Sequence, residues 1–338
     1  MKSNGVCAVV VTYNRKDLLL ECLKSLREQT LPLDAIYIVD NASTDDTSEL
    51  LLNEGYIKEK PPQELEKVWE REYNVDNLVD NEKIELHYVR MHKNTGGAGG
   101  FNEGMRRAYE KGFEWLWIMD DDSEPKNDAL GLLAKHFEKK DILAFANTVK
   151  TPDGIILLHT RGNLNINNIS AFIQNPLDNE SYLENNLIDF ASFVGLMINR
   201  EIIKKVGLPE KNFFIHHDDA EYCLRIKKVS PILLVSDSIV FHKLNNLDEI
   251  SEDNRRVSYD RLWILYYGRR NLIWLINQYS TNKLYFYYAT LRNYLLDIGG
   301  IVLFDDHKYR RIHFFTESYL DGLKGKFDNN KPKRILYG

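Results

Sequence analysis

Cysteine is scarce in this chain of 338 residues, which holds only Cys7, Cys22 and Cys223. Such an odd and widely spaced set forms neither a disulfide framework nor the paired spacing of a metal-binding motif, and it favours a reducing compartment. Cys7 lies in an apolar run and Cys22 on an apolar helix face. We therefore expect both to be small buried hydrophobic residues rather than nucleophiles.

Long hydrophobic runs are also missing. No uninterrupted apolar stretch reaches the ~18 residues that a membrane span requires. The nearest candidate, residues 285–304, is interrupted by Arg292 and Asp297. The first five residues lead directly into a strand and do not resemble a signal peptide. We therefore expect a cytoplasmic protein, and contact with the inner face of the cell membrane is left open.

Basic residues are not in excess. The 44 Lys and Arg are outnumbered by 50 Asp and Glu, and the resulting net charge of -6 argues against nucleic acid as a partner. Hydrophobic residues make up 43% of the chain, which is enough for the core of a globular protein. The length fits one large domain or two ordinary ones.

The first part of the chain alternates between strand and helix patterns. Residues 6–11 and 35–39 are continuous apolar runs of strand length, and leucines at helical spacing lie between them. This order predicts a parallel sheet with right-handed crossovers. Beyond Pro125 short strands become more frequent, and they include strands predicted over residues 190–198, 232–235 and 238–241. We therefore expect an α/β fold with a mixed, mostly parallel sheet.

Two regions depart from that alternation. Residues 53–83 are charged, contain Pro61 and Pro62, and show little periodicity. We interpret them as a surface insertion with one helix near residues 63–72. From residue 251 the pattern is helical and rich in Tyr, Trp, Leu and Ile, with Gly299 and Gly300 as a break. The predicted organisation is a first domain over residues 1–250 and a helical C-terminal region over residues 251–338.

An apolar run at residues 115–119 ends in three consecutive carboxylates, Asp120, Asp121 and Asp122. Close carboxylates repel one another and are costly to desolvate. A divalent cation would resolve this conflict, because hard oxygen ligands suit hard metals. A simple acidic turn before Pro125 is the alternative.

A glycine-rich segment, residues 94–101 (NTGGAGGF), precedes a helix. We expect a loop that lets a ligand approach the backbone closely, beside a helix N-terminus that favours anions. The segment lacks both the Walker ending and the Gly-x-Gly-x-x-Gly spacing. A tight turn is the other interpretation.

Acidic residues also stand at the start of a later helix, where Asp218 and Asp219 follow His216 and His217. A helix N-terminus stabilises a carboxylate, which suits a general base. Adjacent histidines diverge, so we expect them to be surface or loop residues rather than a metal pair.

Two further polar residues end predicted strands. Asp40 would lie at the edge where ligands bind in open α/β sheets, and it could equally cap the helix that follows. His242 follows apolar residues and is either structural or a nitrogen ligand for a carboxylate-bound metal.

Together these motifs resemble the inverting family-2 glycosyltransferases of GT-A fold. The resemblance rests on residues 11–15 (VTYNR), 39–45 (VDNASTD), the glycine-rich segment, 119–122 (MDDD) and 218–221 (DDAE), in that order. Residues 94–101 and 214–222 are most similar to the bacterial galactofuranosyltransferase branch. Residues 266–271 (YYGRRN) and 322–326 (GLKGK) are similar to that branch and to rhamnosyltransferases.

The resemblance implies a Rossmann-like nucleotide-sugar-binding domain followed by the helical region. It implies a catalytic base at Asp219, with Asp218 beside it. It implies Mn²⁺ or Mg²⁺ on three ligands, Asp120, Asp122 and His242. The nucleotide-sugar would be bound by Thr12, Asn14, Arg15, Asp40, Asn94, Gly96, Gly97, Gly99, Gly100 and Asp121. Two departures stand out: the family's acidic pair often has glutamate first, and residues 53–83 match nothing in it.

The implied activity is metal-dependent, inverting transfer of galactofuranose from UDP-galactofuranose to a lipid-linked glycan in cell-wall or capsule polysaccharide biosynthesis. A rhamnosyltransferase using dTDP-rhamnose is the alternative within the class. An inactive GT-A scaffold is the alternative outside it, with residues 263–304 docking on a membrane or partner. Packing of that stretch on the first domain or on a second subunit is the simpler interpretation, and homo-oligomerisation is left open.

Overall fold

The computed structural model describes residues 5–166, 174–243 and 259–338. Thirteen strands lie in these ranges: β1 (Val6–Thr12), β2 (Ala35–Asp40), β3 (Trp69–Asp76), β4 (Lys83–Arg90), β5 (Trp115–Asp120), β6 (Ser123–Pro125), β7 (Ala144–Lys150), β8 (Arg161–Leu164), β9 (Gln174–Pro176), β10 (Asn186–Ile188), β11 (Phe190–Ala191), β12 (Leu196–Asn199) and β13 (Ile232–His242).

The same ranges hold ten α-helices, six among the strands and four after them. They are α1 (Lys16–Arg27), α2 (Thr47–Asn53), α3 (Gly96–Lys111), α4 (Ala129–Ala134), α5 (Arg200–Val206), α6 (Asp218–Ile226), α7 (Leu262–Tyr279), α8 (Lys283–Phe304), α9 (Lys308–Lys324) and α10 (Lys331–Tyr337). None of these helices combines the length and apolarity that a membrane crossing requires.

One large mixed sheet forms the centre, with strand order β10-β13-β7-β12-β5-β1-β2-β4-β3 and β6 beside β13. Strands β5, β1, β2 and β4 run parallel, and β12 and β3 flank them in the antiparallel direction. Strands β1 and β2 are buried along their whole length, because their continuous apolar runs are covered on both faces. The predicted α/β class with a mixed, mostly parallel sheet is confirmed.

The sheet register brings polar strand ends to one edge. Thr12 of β1 lies opposite Asp40 of β2, and Val11 lies opposite Asp120 of β5. Parallel strands finish at the same edge, so the residues that follow β1, β2 and β5 meet there. The candidate site is built on this edge.

The helix predicted at residues 63–72 is wrong. Part of that segment forms β3, which pairs antiparallel with β4 at the edge of the sheet. Its charged residues made this strand resemble a surface helix in the sequence. In the structure they form ion pairs with another element: Glu70 contacts Arg107, and Glu72 contacts Lys111, both on α3. Trp69 packs edge-on against Tyr88. A charged edge strand is a common protection against aggregation.

The predicted loop at residues 96–100 is also wrong, because α3 already begins at Gly96. These glycines are needed for close packing: a Cβ on Gly100 would lie 2.6 Å from Val11 Cγ1, and one on Gly99 would lie 2.3 Å from Thr95 Oγ1. Nor do Gly299 and Gly300 break a helix, since α8 runs through both. Ile301, beside them, is buried, and such packing outweighs the low helix propensity of glycine.

Other element boundaries differ in detail. The strand predicted over residues 190–198 is divided between β11 and β12, with Gly195 at φ +75° before β12. The two strands predicted at 232–235 and 238–241 are one strand, β13, whose register shifts between Val235 and Ile239.

The C-terminal helices share a core with the sheet domain. Leu272, Ile276 and Phe286 belong to the same buried cluster as Phe213 and Tyr222. The predicted boundary between residues 250 and 251 lies in residues 244–258, outside the described part of the chain. The division into two domains stays a prediction.

Candidate active site

The acidic triplet lies at the sheet edge where β5 ends. Asp121 and Asp122 are buried, and Asp120 is half-buried. Arg15 Nη1 donates to Asp122 Oδ2 at 2.7 Å and approaches Asp121 Oδ1 at 3.5 Å. His242 Nε2, at the end of β13, lies 3.0 Å from Asp122 Oδ1 but is not aligned as a hydrogen bond, so that contact is electrostatic.

The carboxylates of the triplet are held at an electrostatic cost. Burial, reinforced by the charge of Asp122, raises the pKa of Asp121 to about 7 and that of Asp120 to about 6. Burial acts in the same direction on Asp122, but the contact with His242 and the charge of Arg15 together outweigh it and lower the pKa of that carboxyl. The site thus concentrates negative charge without enough cation to balance it.

A second acidic pair faces the triplet from the start of α6. Asp218 is buried and Asp219 is half-buried, and Asp219 Oδ1 accepts from the amide of Ala220 at 2.7 Å. Burial raises the pKa of Asp219 to about 6, and burial with the charge of Asp219 raises the pKa of Asp218 well above its usual value. The charge of Asp219 also raises the pKa of Asp120. The fold therefore brings together two acidic groups that lie far apart in sequence.

The loop before α6 is strained. Phe214, His216 and His217 all have positive φ, at 68°, 69° and 64°. Left-handed backbone is unfavourable for residues with a Cβ and tends to persist only where surrounding contacts enforce it. His216 is exposed, as predicted for a surface residue, whereas His217 is half-buried and burial lowers its pKa to about 3.

Contacts from α7 hold that loop in place. Asn271 Nδ2 lies within 3.0 Å of the carbonyls of Phe213, Ile215 and His216. Arg270 donates to the carbonyl of Phe213 at 3.0 Å and to Asn271 Oδ1 at 3.0 Å. Both side chains are fully buried. The C-terminal region is therefore tied directly to the segment that carries Asp218 and Asp219.

The first turn of α3 meets the same loop. Gly96 lies so close to Phe214 that an added Cβ would be 1.9 Å from the Phe214 carbonyl oxygen, and that oxygen accepts from the amide of Ala98 at 3.2 Å. A Cβ on Gly97 would meet nothing within 4 Å. Of the glycines predicted to approach a ligand, Gly97 is the one with free space beside it, whereas Gly96, Gly99 and Gly100 are explained by packing.

On the other side of the edge, Asp40 is fully buried. Its Oδ2 accepts from Tyr88 Oη at 2.6 Å and from Arg90 Nη1 at 2.5 Å, and its Oδ1 accepts from the amide of Ser43 at 2.8 Å. This carboxylate is therefore shielded from solvent and already bonded. A direct contact between Asp40 and a nucleobase stays a prediction.

Thr12 and Asn14 lie at the end of β1. Thr12 is buried, and its Oγ1 has no hydrogen-bond partner among the described residues. Asn14 has φ 54° and bonds to the segment after β2, accepting from the amide of Thr44 at 2.6 Å. It therefore joins the two loops that rim the candidate nucleotide side.

Asn41 is a positioning residue that sequence reasoning missed. Its Oδ1 accepts from the amide of Thr95 at 2.9 Å, and its Nδ2 donates to the carbonyl of Gly96 at 2.9 Å and to Asn94 Oδ1 at 3.2 Å. It thus ties the end of β2 to the start of α3. The sequence feature that could have indicated this role is its position directly after Asp40 in the segment VDNAS.

The donor set fits a hard divalent cation. Asp121 Oδ2, Asp122 Oδ1 and His242 Nδ1 are buried polar atoms without hydrogen-bond partners in the described part of the chain. Carboxylate and imidazole are suitable ligands for Mn²⁺ or Mg²⁺. No three His, Cys, Asp or Glu side chains within residues 5–166, 174–243 and 259–338 already surround one point as ligands. Metal binding would therefore require side chains of the site to move from the positions that they occupy here.

The sequence matches the family described as Glycosyl transferase family 2 over residues 7–60 and 72–207, more than half of the chain. The chain belongs to glycosyl transferase family 2. The matched ranges contain the triplet, Asp40 and the glycine-rich segment, and they end before Asp218 and His242. They also include residues 53–60 and 72–83, so the expectation that residues 53–83 match nothing in the family is wrong except for residues 61–71.

Curated relatives within this family are distant. Galactofuranosyltransferase GlfT1 of Mycolicibacterium smegmatis is 26% identical over 226 residues, which are 65% of this chain and 65% of that protein. The match thus covers slightly less than two thirds of this relative. The dTDP-rhamnosyl transferase RfbF of Shigella flexneri is 27% identical over 154 residues, 44% of this chain and 48% of that protein.

Solved structures share the family's fold. S. aureus TarS 1-349 in complex with UDP-GlcNAc matches 99% of this chain and 90% of that chain, with TM-score 0.53 and 14% identity. GalNAc-T7, solved with UDP, GalNAc and Mn²⁺, matches 97% of this chain and 58% of that chain, with TM-score 0.57 and 14% identity. The predicted GT-A fold is confirmed.

Proposed function

We propose that this family-2 glycosyltransferase is a metal-dependent, inverting enzyme that transfers galactofuranose from UDP-galactofuranose to a lipid-linked glycan in cell-surface polysaccharide biosynthesis. The observation that carries the proposal is the meeting of the triplet Asp120–Asp122 with the pair Asp218–Asp219. One cluster suits a cation and a departing diphosphate, and the other suits removal of a proton from an acceptor.

Asp219 is the proposed general base. It is partly open to solvent, and with a pKa raised by burial to about 6 it is largely ionised at neutral pH but still basic enough to accept a proton. It would take the proton of an acceptor hydroxyl while that oxygen attacks the anomeric carbon. The bond to the diphosphate breaks on the opposite face, and the nucleotide leaves with the electron pair. One displacement inverts configuration and needs no protein nucleophile.

Asp120, Asp122 and His242 would hold the divalent cation. When bound, such an ion supplies positive charge that offsets the charge growing on the diphosphate leaving group. Arg15, 2.7 Å from Asp122, lies beside the same site and would offer a second positive charge to the diphosphate. The open space at Gly97, on the first turn of α3, would accept donor oxygens beside helix amides.

The base is tested by Asp219→Asn. This variant should keep donor and metal affinity and lose about 10²–10⁴-fold in turnover, because the amide cannot accept the proton. Asp141→Asn, an exposed acid before the start of β7 and so at the opposite edge of the sheet, is the matched control and should behave as wild type. Undiminished turnover in Asp219→Asn would remove Asp219 from this role. If neither wild type nor any variant released UDP, the inactive-scaffold alternative would be favoured instead.

The metal is tested by Asp122→Ala and by chelation, each of which should abolish transfer. A second readout is independent of activity: Mn²⁺ should raise the Tm of wild type and not that of Asp122→Ala, since ligand binding to the folded state stabilises it. Full activity in excess chelator would refute the metal model.

The donor sugar is tested by thermal stabilisation with UDP-galactofuranose, UDP-GlcNAc and dTDP-rhamnose in the presence of Mn²⁺. The similarity to GlfT1 supports the first, and the similarity to RfbF makes dTDP-rhamnose the second candidate. The largest rise in Tm at equal concentration identifies the tightest-binding donor. A larger rise with dTDP-rhamnose would replace galactofuranose in the proposal.

A further inference from the structure

The helix α8 has two apolar faces, and the described residues cover only one of them. Its inner face includes Phe286, Thr290 and Ile301, which are buried. Its outer face is exposed yet carries large apolar side chains at intervals of three, four and seven residues: Leu284, Tyr288, Leu291, Leu295 and Val302. Leu284 is 85% exposed. A surface helix normally presents polar residues on this side, so an apolar outer face indicates a missing partner.

The apolar surface continues beyond that row. Tyr285, Tyr287, Leu303 and Phe304 on α8 and Tyr309 at the start of α9 are also exposed. Tyrosine, leucine and phenylalanine together are the composition found where a helix lies in a membrane interface, with aromatic rings at headgroup level. α8 does not meet the requirements of a membrane-crossing helix, so it would lie along a bilayer rather than through it.

The charges on α8 indicate which kind of partner its outer face fits. Its one acid, Asp297, is on the inner side, bonded to Arg269 at 2.9 Å and to Tyr319 at 2.8 Å. The outer side carries the cation Arg292, which has no carboxylate within ion-pair distance among the described residues. Exposed cations flank the ends of the helix, at Lys283, Lys308 and Arg310. The acids directly after the helix, Asp305 and Asp306, both contact Arg311. An apolar face that itself carries a cation and no acid complements an anionic lipid surface.

A second copy of the chain fits this face less well. If two outer faces of α8 packed together, each would bring Arg292 and no acid, and a cation would be desolvated without a counterion. At a bilayer the same guanidinium would reach lipid phosphate while its stem stays among leucines.

We propose that the outer face of α8 docks this protein on an anionic lipid bilayer. The reason for such docking rests on the proposed function, because a lipid-linked acceptor is presented at a membrane surface. The surface itself is independent of Asp219 and of the donor, so the two proposals fail separately.

The experiment is flotation of the full chain with vesicles of phosphatidylglycerol and phosphatidylcholine, compared with phosphatidylcholine alone. Wild type should float with the mixed vesicles, and less so as salt is raised. The double variant Leu291→Ser/Leu295→Ser should lose at least about tenfold of the bound fraction, because two apolar anchors are removed. Arg292→Gln should lose binding to the mixed vesicles in particular.

A matched control is offered by two other exposed leucines. Leu183 and Leu187, on the edge of the sheet domain, are 83% and 60% exposed, against 58% and 59% for Leu291 and Leu295. The variant Leu183→Ser/Leu187→Ser should float as wild type does. An equal loss of flotation in both double variants would mean that exposed leucines anywhere on the surface promote vesicle binding, and it would overturn the proposal.

Two further results would overturn it. One is failure of wild type to float with anionic vesicles at low salt. The other is a stable dimer in sedimentation that Leu291→Ser/Leu295→Ser abolishes, which would assign the face to a second copy. Donor hydrolysis measured without vesicles should be unchanged in Leu291→Ser/Leu295→Ser. Flotation without any donor turnover in wild type would leave docking intact and remove the proposed function instead.

Discussion

Replacing Asn271 with alanine should impair catalysis although Asn271 is on α7, outside the sheet domain. Its amide lies within 3.0 Å of three carbonyls in the loop before α6, and it is fully buried. Leaving such buried carbonyls unsatisfied costs about 1–3 kcal/mol. The three positive-φ residues of the loop store on the order of 1–3 kcal/mol each, so the loop would relax once this anchor is lost.

Relaxation of the loop would displace Asp219, which begins α6 together with Asp218. A misplacement of ~1 Å at a reacting group costs roughly 100-fold in rate. We therefore expect kcat for Asn271→Ala to fall by about 10–100-fold, with a much smaller change in donor KM. The Tm should fall by only a few degrees, since ~1 kcal/mol moves the Tm of a domain of this size by roughly 2–4 °C.

A second buried asparagine provides the control. Asn77 is also fully buried, donates to the carbonyl of Gln29 at 2.9 Å and accepts from the amide of Val79 at 2.7 Å, in the turn before β4. Asn77→Ala should lower the Tm similarly and leave kcat unchanged in steady-state assays well below either Tm. Wild-type kcat in Asn271→Ala, or an equal loss in Asn77→Ala, would refute the positioning role.

Three other predictions concern Asp219 and Gly104. Because burial raises the pKa of Asp219 to about 6 and only its ionised form accepts a proton, kcat/KM should fall as pH decreases through about 6; a flat profile from pH 7 to 5 would contradict this. The stability effect has the opposite sign, since a carboxyl whose pKa is raised on folding destabilises the folded state at higher pH. Asp219→Asn should therefore have a higher Tm than wild type at pH 8, and the difference should shrink near pH 5. Gly104→Ala should destabilise by about 1–3 kcal/mol in urea unfolding, because the new Cβ would lie 2.5 Å from Val9 Cγ1 and 2.8 Å from Val39 Cγ2.

The sequence was most informative where local pattern and tertiary role agree. β1, β2 and β5 were predictable because a run of apolar residues buried on both faces leaves few other interpretations. β3 was not, since the charges that suggested a surface helix are ion-paired to α3 across the fold. The glycines at the start of α3 predicted a loop open to a ligand, but Gly96, Gly99 and Gly100 are explained by close packing on Phe214, Thr95 and Val11.

The candidate site was predictable as a set of residue types and not as a set of contacts. Parallel strands finishing at one edge place Thr12, Asp40 and Asp120 together, and this follows from the alternation of strands and helices alone. The ion pair between Arg15 and Asp122 joins residues 107 positions apart, and no local pattern indicates it. The anchoring of the Asp219 loop by Asn271 spans 58 positions for the Phe213 carbonyl and is equally invisible to local reasoning.

These long-range contacts bear on how the C-terminal helices should be regarded. If the C-terminal helices served only to reach a membrane, a few weak polar contacts with the sheet domain would be sufficient, as in a domain joined by a linker. Instead α7 places Arg270 and Asn271, both fully buried, on the carbonyls that precede α6, and it shares a hydrophobic cluster with Phe213 and Tyr222. Cutting the chain near residue 250 would therefore expose that cluster and also release the strained loop beside Asp219. The same helices that present the apolar face of α8 outward hold the proposed base inward, so the proposed docking face and the proposed base belong to one packed unit.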